Sequence, residues 1–252
     1  MQQKGGIMNK SKTQCFGLTN NQLKIIAMVS MAFDHIGLLF FPDADIFRIL
    51  GRIAFPIFAY MIAEGCRYTK NRAKYLGLIA GMGILFQVVF FVAMDSLYQG
   101  ILITFSLAII TIYAIDGILK GKNLWTGLAS VASLFFVVVF VFLLPFLLKG
   151  TDFDIDYGLW GILLPLAVYY LPNRLWRTVG MATLLFARAI HYTVFPADSL
   201  GLLQWFSLLS VLFLALYNEK RGKANMKYVF YIFYPAHLVI LYGIAIVIEL
   251  LK

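Results

Sequence analysis

Apolar residues along this chain fall in long unbroken runs separated by short polar clusters, with neither the two-residue alternation of a half-buried strand nor a single apolar stripe. A bilayer's hydrocarbon core takes about 20 residues of helix. Runs of that order lie at roughly 22–41, 45–66, 73–94, 101–119, 124–148, 157–171, 175–195, 199–217 and 226–250, the sixth being the shortest. The pattern predicts an all-α, polytopic integral membrane bundle of about nine transmembrane helices.

Composition agrees, because 252 residues that are 62% hydrophobic and only 13% charged exceed what a soluble domain buries. The net charge of +9 would point to nucleic acid in a soluble protein. Here the basic residues cluster between apolar runs, so topology accounts for them and no nucleic-acid partner is expected. One face of the predicted bundle collects Lys4, Lys10 and Lys12, then Arg67, Lys70, Arg72 and Lys74, Lys120 and Lys122, Arg174 and Arg177, and Lys220, Arg221, Lys223 and Lys227. The other holds Lys149 and Lys252 with Asp43, Asp45, Asp95, Asp152, Asp154, Asp156 and Asp198. The positive-inside rule then predicts a cytoplasmic N-terminus in a plasma (inner) membrane. Residues 1–21 read as a cytoplasmic basic tail and 22–252 as one transmembrane helical domain. The first apolar run lacks a small-residue cleavage site and is no signal peptide. Cys15 and Cys66 fall on the same side, which argues against a disulfide framework.

Chemistry is sought in the ionisable and polar groups left inside the apolar runs: Lys24, Asp34, His35, Arg48, Arg52, Glu64, Gln87, Asp116, Arg188, His191 and His237. Each is costly in lipid unless paired or hydrated. Lys24, Glu64 and Asp116 lie near the cytoplasmic interface and can snorkel. At about 1.5 Å per residue, helix direction places Asp34, His35, Arg48, Arg52, Arg188 and the histidines in one layer in the middle and external part of the bundle. Arg48 and Arg52, Arg188 and His191, and Tyr234 and His237 each share a helix face. Lys24 and His35, eleven apart, lie on one stripe with an offset of about 20°. Asp34 either assists His35 or neutralises Arg48 and Arg52. The basic loop 67–74 either sets orientation or attracts phosphates at the cytoplasmic mouth through Arg67, Lys70, Arg72 and Lys74. Asp152, Asp154 and Asp156 alternate as in a calcium loop, but Tyr157 replaces the loop glycine and Leu163 the final glutamate. With no zinc-type spacing either, no metal is expected. Gly77 and Gly81 form a GxxxG that suggests close helix packing.

The ordered blocks LKIIAMVSMAFDHIG (23–37), RILGRIAFPIFAYMIAEG (48–65), RYTKNRAKY (67–75), DYGLWGILL (156–164), LLQWFSLLSVLFLALYNEKRGK (202–223) and YVFYIFYPAHLVILYGI (228–244) resemble the TraX-like membrane proteins, bacterial proteins named for the one linked to N-terminal acetylation of conjugative pilin. That family looks related to the acyltransferase-3 and heparan N-acetyltransferase types. The resemblance implies an O- or N-acyltransferase that carries an acyl group, acetyl above all, from cytoplasmic acyl-coenzyme A to an amine or hydroxyl on the far side. It implies His35 as general base and Asp34 as its partner. Arg48, Arg52, Glu64, Arg188, His191, His237 and Lys24 become candidates for the oxyanion or the coenzyme. In the acyltransferase-3 type an arginine stands eleven before that histidine; Lys24 holds the position here, keeping the charge but not the fork. The acceptor is left as a protein N-terminus, a glycan or a lipid, and self-association is left open. The alternative reading is a small-molecule or lipid transporter, which also needs buried charge near the midplane.

Overall fold

The computed structural model describes residues 17–121, 123–195, 201–223, 226 and 229–251. Lys4, Lys10, Lys12, Cys15, Lys122, Asp198, Lys227 and Lys252, with most of the basic tail, lie outside them. The chain is all-helical among the described residues. Its helices are α1 (Asn20–Phe40), α2 (Asp45–Gly51), α3 (Ala54–Tyr68), α4 (Arg72–Met94), α5 (Ile101–Lys120), α6 (Leu124–Leu147), α7 (Gly158–Tyr170), α8 (Arg174–Val194), α9 (Gly201–Ala215) and α10 (Val229–Leu250). Among the described residues, six helices or helix pairs are long and apolar enough to cross a membrane: α1, α2 with α3, α4, α5, α6 and α10. The helices α7 and α9 are apolar but shorter, and α8 is long enough but carries Arg174, Arg177 and Arg188.

Local chemistry explains the boundaries. Thr19 and Gln22 form a reciprocal capping box at the start of α1. Asn71, Asn123 and Asn173 accept the backbone N–H of Lys74, Thr126 and Trp176 at the starts of α4, α6 and α8. Each thereby satisfies one of the donors a helix start leaves free. A π-helical turn over Val139–Leu143 interrupts α6 just before Pro145, whose missing N–H breaks the regular ladder. Where one continuous second helix is expected, the chain turns at Arg52 and Ile53 between α2 and α3. The junction brings Gly51 against Asp34, where a Cβ would meet the carboxylate. Ser30 on α1 donates to the Leu50 carbonyl beside it.

The centre of the bundle is α3, buried along nearly its whole length, with α5 beside it. Around them α1 packs on α2, α3 and α10, α7 on α3, α5 and α8, and α8 on α9. The faces of α4 and α6 are largely exposed apolar surface. The expected packing role of Gly77 and Gly81 is not seen, because a Cβ on either would meet nothing within 4 Å. Spacing alone does not say which face of a helix is turned inward, and the close approach on α4 is made by Gly83, against Leu102 and Ile103.

Candidate functional site

Two polar regions lie along the same helices. At the basic end, a cavity of about 710 Å³ is lined by Asn20 and Lys24 of α1, Phe58 and Glu64 of α3, Ile79 of α4, Phe230 of α10, and Lys70, Tyr217 and Arg221. Its lining combines exposed cations, Lys70 and Arg221, with buried Glu64, Tyr217 and Ile79. Glu64 accepts the Tyr217 hydroxyl at 2.7 Å and stands 4.0 Å from Arg67. Of the four basic residues expected to attract phosphates, Lys70 alone lines this cavity. Arg67 donates to the carbonyls of Val168 and Tyr169, closing the last turn of α7. Arg72 is held by Asp116 at 2.5 Å and lies over the Tyr113 ring. Asp116 also takes Lys120 at 2.7 Å and the Tyr169 hydroxyl at 2.7 Å. Arg67 and Arg72 are therefore structural anchors, and Lys74 is exposed. Arg177, read from sequence as topology alone, is buried, donates to the carbonyls of Leu171 and Pro172, and pairs with Glu219 at 2.7 Å.

Further along α1 and α10 the two inner histidines meet. His237 follows Phe230, a lining residue of the cavity, by seven positions, about 10 Å along α10. Its Nδ1 is 2.8 Å from the Phe233 carbonyl, which can only accept, so Nδ1 carries the proton and Nε2 the lone pair. That Nε2 is 3.4 Å from His35 Nδ1. His35 Nδ1 is in turn 2.9 Å from the Met31 carbonyl. By the same reasoning His35 Nδ1 carries a proton, shared between Met31 and His237, and His35 Nε2 is left as a base. The Phe233 ring stacks on His237 at 4.9 Å, and Tyr234 contacts it edge-on.

Asp34 does not serve His35. It pairs with Arg48 at 3.0 Å and stands 3.7 Å from Arg52, because successive residues on a helix point about 100° apart. His191 stays apart from the other two histidines: it is exposed and contacts the rings of Trp160, Tyr192 and Phe195. Arg188, one turn earlier, turns inward over Phe55, Tyr157 and Tyr192 at 5.5, 5.1 and 5.0 Å. Gln87 accepts the Gly100 N–H.

The acidic loops close this end. Gln99 bridges to Ile155 in parallel, and Asp152 accepts the Ser96 hydroxyl and the Leu97 N–H. These bonds hold the Asp152 carboxyl below its ordinary value. Asp156 is anchored by Tyr98, whose hydroxyl donates at 3.1 Å, and by Thr104, which donates to its carbonyl at 2.7 Å. Tyr157 is left-handed at φ 60°, and its ring stacks on Phe55 at 3.6 Å. In the sequence Asp156 stands out only through its alternation with Asp152 and Asp154 and at the head of the DYGLWGILL block, and Tyr98 has no signal there. Burial pushes the Asp156 carboxyl up to about 7, against the opposing pull of Tyr98, Arg188 and Arg52 and with a push from Asp34. A raised folded-state value means stability that is complete below the unfolded value of about 4 and lost as pH rises through about 7. The thermal midpoint of the purified protein is therefore expected to fall between pH 5 and pH 8. Asp156→Asn should flatten that fall, and an unchanged slope in the variant would remove Asp156 as its source.

A bundle of long apolar helices with ionisable groups gathered inside defines a multi-pass helical membrane protein with an internal polar site. The family model described as TraX protein matches residues 19–245, and the chain belongs to that family. It is 28% identical over 243 residues to a Dichelobacter nodosus protein described as "Probable fimbrial assembly protein FimC, serogroup H1", covering 87% of this chain and 93% of that one. It is 30% identical over 181 residues to Protein TraX of Escherichia coli, covering 71% of this chain and 65% of that one. No solved structure matches the chain.

Proposed function

We propose that this protein is a membrane-embedded acyltransferase that moves an acyl group, acetyl above all, from cytoplasmic acyl-coenzyme A to an amine or hydroxyl presented at the opposite face of the plasma (inner) membrane. The observation that carries this reading is the His35–His237 contact at 3.4 Å, about two turns along α10 and about three along α1 beyond a cavity with cationic lining on the same helices. In the proposed reaction, Lys24, Lys70 and Arg221 attract the donor's phosphates, and the thioester reaches towards the histidines. His35 Nε2 takes the proton as the acceptor's oxygen or nitrogen attacks the thioester carbonyl. The C–S bond breaks, and the departing thiolate takes that proton from His35. His237 is a positioning residue that fixes the tautomer of His35. The acceptor is a protein N-terminus, a glycan or a lipid.

The same reading takes the chain across the membrane nine times, with its N-terminus and basic end cytoplasmic. A cysteine placed at Thr151 should then react with a membrane-impermeant thiol reagent in intact cells, and one at Asn71 should not. The reverse pattern would invert the topology.

Donor binding is tested with purified protein and radiolabelled acetyl-coenzyme A. Wild type should bind, and Lys70→Glu, a change at an exposed side chain, should bind roughly tenfold more weakly through charge reversal near the phosphates. No binding by wild type would remove the donor from the site and put transport in its place.

A further inference from the structure

Arg72 and Arg177 have donors taken up by carboxylates and carbonyls. Buried guanidinium nitrogens without a hydrogen-bond partner among the described residues are Arg67 Nη1, Arg52 Nε and Nη2, and Arg188 Nε. Arg67 is nonetheless fixed through Nη2 by the carbonyls of Val168 and Tyr169, and its Nη1 faces Glu64 at 4.0 Å, which leaves Arg52 and Arg188 as the arginines with orphaned donors in the acidic half. Both residues are deep, at 9% and 3% exposure.

Charge adds to the imbalance. Arg48, Arg52 and Arg188 face Asp34 and Asp156, and Asp34 Oδ2 pairs with Arg48 at 3.0 Å while its buried Oδ1 has no hydrogen-bond partner among the described residues. Its distance of 3.7 Å from Arg52 Nη2 is too long for a hydrogen bond. Asp156 accepts from Tyr98 and is close enough to act on the charge of Arg188, as is Arg52. Positive charge thus exceeds negative in a layer where unpaired charge is costly.

Arg188 is also held in a way that leaves its N–H edge available. Three aromatic rings lie around its guanidinium carbon at 5.0 to 5.5 Å, and a ring face attracts the cation without accepting its in-plane donors in full. One of those rings belongs to Tyr157, whose left-handed backbone is an unfavourable conformation for a residue with a Cβ. Guanidinium Nε–H and Nη–H on one edge form the fork that takes two oxygens of a single oxyanion.

We propose that Arg52 and Arg188 form a binding site for an oxyanion, a carboxylate or phosphate, carried by the molecule that enters the acidic half of the bundle. On the acyltransferase reading, the oxyanion belongs to the acceptor. Binding is measured without any transfer step, so a failure here and a failure of that reading are separate results.

The test is the thermal unfolding of full-length protein in neutral detergent at constant ionic strength. The probes are sodium phosphate, sodium acetate, and mixed micelles containing a phosphate-monoester lipid, each compared with chloride. At least one oxyanion should raise the wild-type midpoint saturably. Arg52→Gln and Arg188→Gln should abolish the rise. Arg52→Lys and Arg188→Lys, which keep the charge and lose the fork, should need at least tenfold more probe and carry the test if the glutamine variants do not fold. A response to the dissolved ions assigns a small anion, and a response to the lipid alone assigns a headgroup; either supports the site. No response to any probe in wild type would overturn the proposal. So would a response unchanged in both lysine variants, which would place the anion at the basic cavity instead.

Discussion

Replacing His35 with alanine is expected to lower acyl transfer by about 100- to 10,000-fold, the usual contribution of a positioned general base, while donor binding stays near wild type. The expectation rests on the proton inventory of the histidine pair. The Phe233 and Met31 carbonyls sit against Nδ1 of His237 and His35, leaving His35 Nε2 as the one nitrogen of the pair with neither a carbonyl nor the other ring against it. The alanine variant removes that base and should leave the cavity that holds the donor unaltered, since His35 is not part of its lining. His237 contributes one hydrogen bond of orientation. His237→Leu should therefore cost only about fivefold, the equivalent of about 1 kcal/mol, and His237→Gln, whose amide oxygen can accept from His35 Nδ1, should recover most of it. A loss at His237 as deep as that at His35 would assign the base to the wrong ring.

Asp34→Ala is expected to be the most destabilising single change in the acidic half. It strips Arg48 of its partner at 3.0 Å and leaves Arg52, at 3.7 Å, without a facing carboxylate from α1. The pair is part-buried, with the Arg48 and Asp34 side chains 13% and 24% exposed, so removing one partner should cost about 2–3 kcal/mol, short of the about 3–5 kcal/mol of a fully buried pair. That is a large share of a typical total of about 5–15 kcal/mol. Asp34→Leu combined with Arg48→Leu removes both charges and should be closer to wild type than Asp34→Ala alone. The thermal midpoint in detergent checks the series. A single variant as stable as wild type would mean that the pair contributes no stability.

The apolar runs were legible because membrane helices announce themselves by length, and each run coincides with a helix or helix pair within a few residues. The break between α2 and α3 was not, since nothing in an apolar run marks a turn at Arg52 and Ile53. Convergence of His35 and His237 was readable from depth, because helix direction and rise fix how far each residue lies along the bundle axis. Depth says nothing of angle between helices, so the sequence places His191 in the same layer although it faces outward. The choice between His35 and the arginines as partners of Asp34 also needed the fold, because Arg48 and Arg52 reach α1 only through the turn that follows it. Loop positive charge was ambiguous by nature: Arg67 and Arg72 have the charge of phosphate ligands but are used up by the end of α7 and by Asp116. The Asp152, Asp154, Asp156 alternation marks an acidic loop but not the Tyr98 contact that anchors Asp156 or the left-handed turn at Tyr157.

The most direct measurement is the release of coenzyme thiol from acetyl-coenzyme A by purified wild type and His35→Ala, with water as the acetyl acceptor and donor binding followed in the same samples. Equal binding with thiol release confined to wild type is the expected result. Equal release by the two proteins would contradict a base at His35 and, with it, the chemistry proposed for this family member.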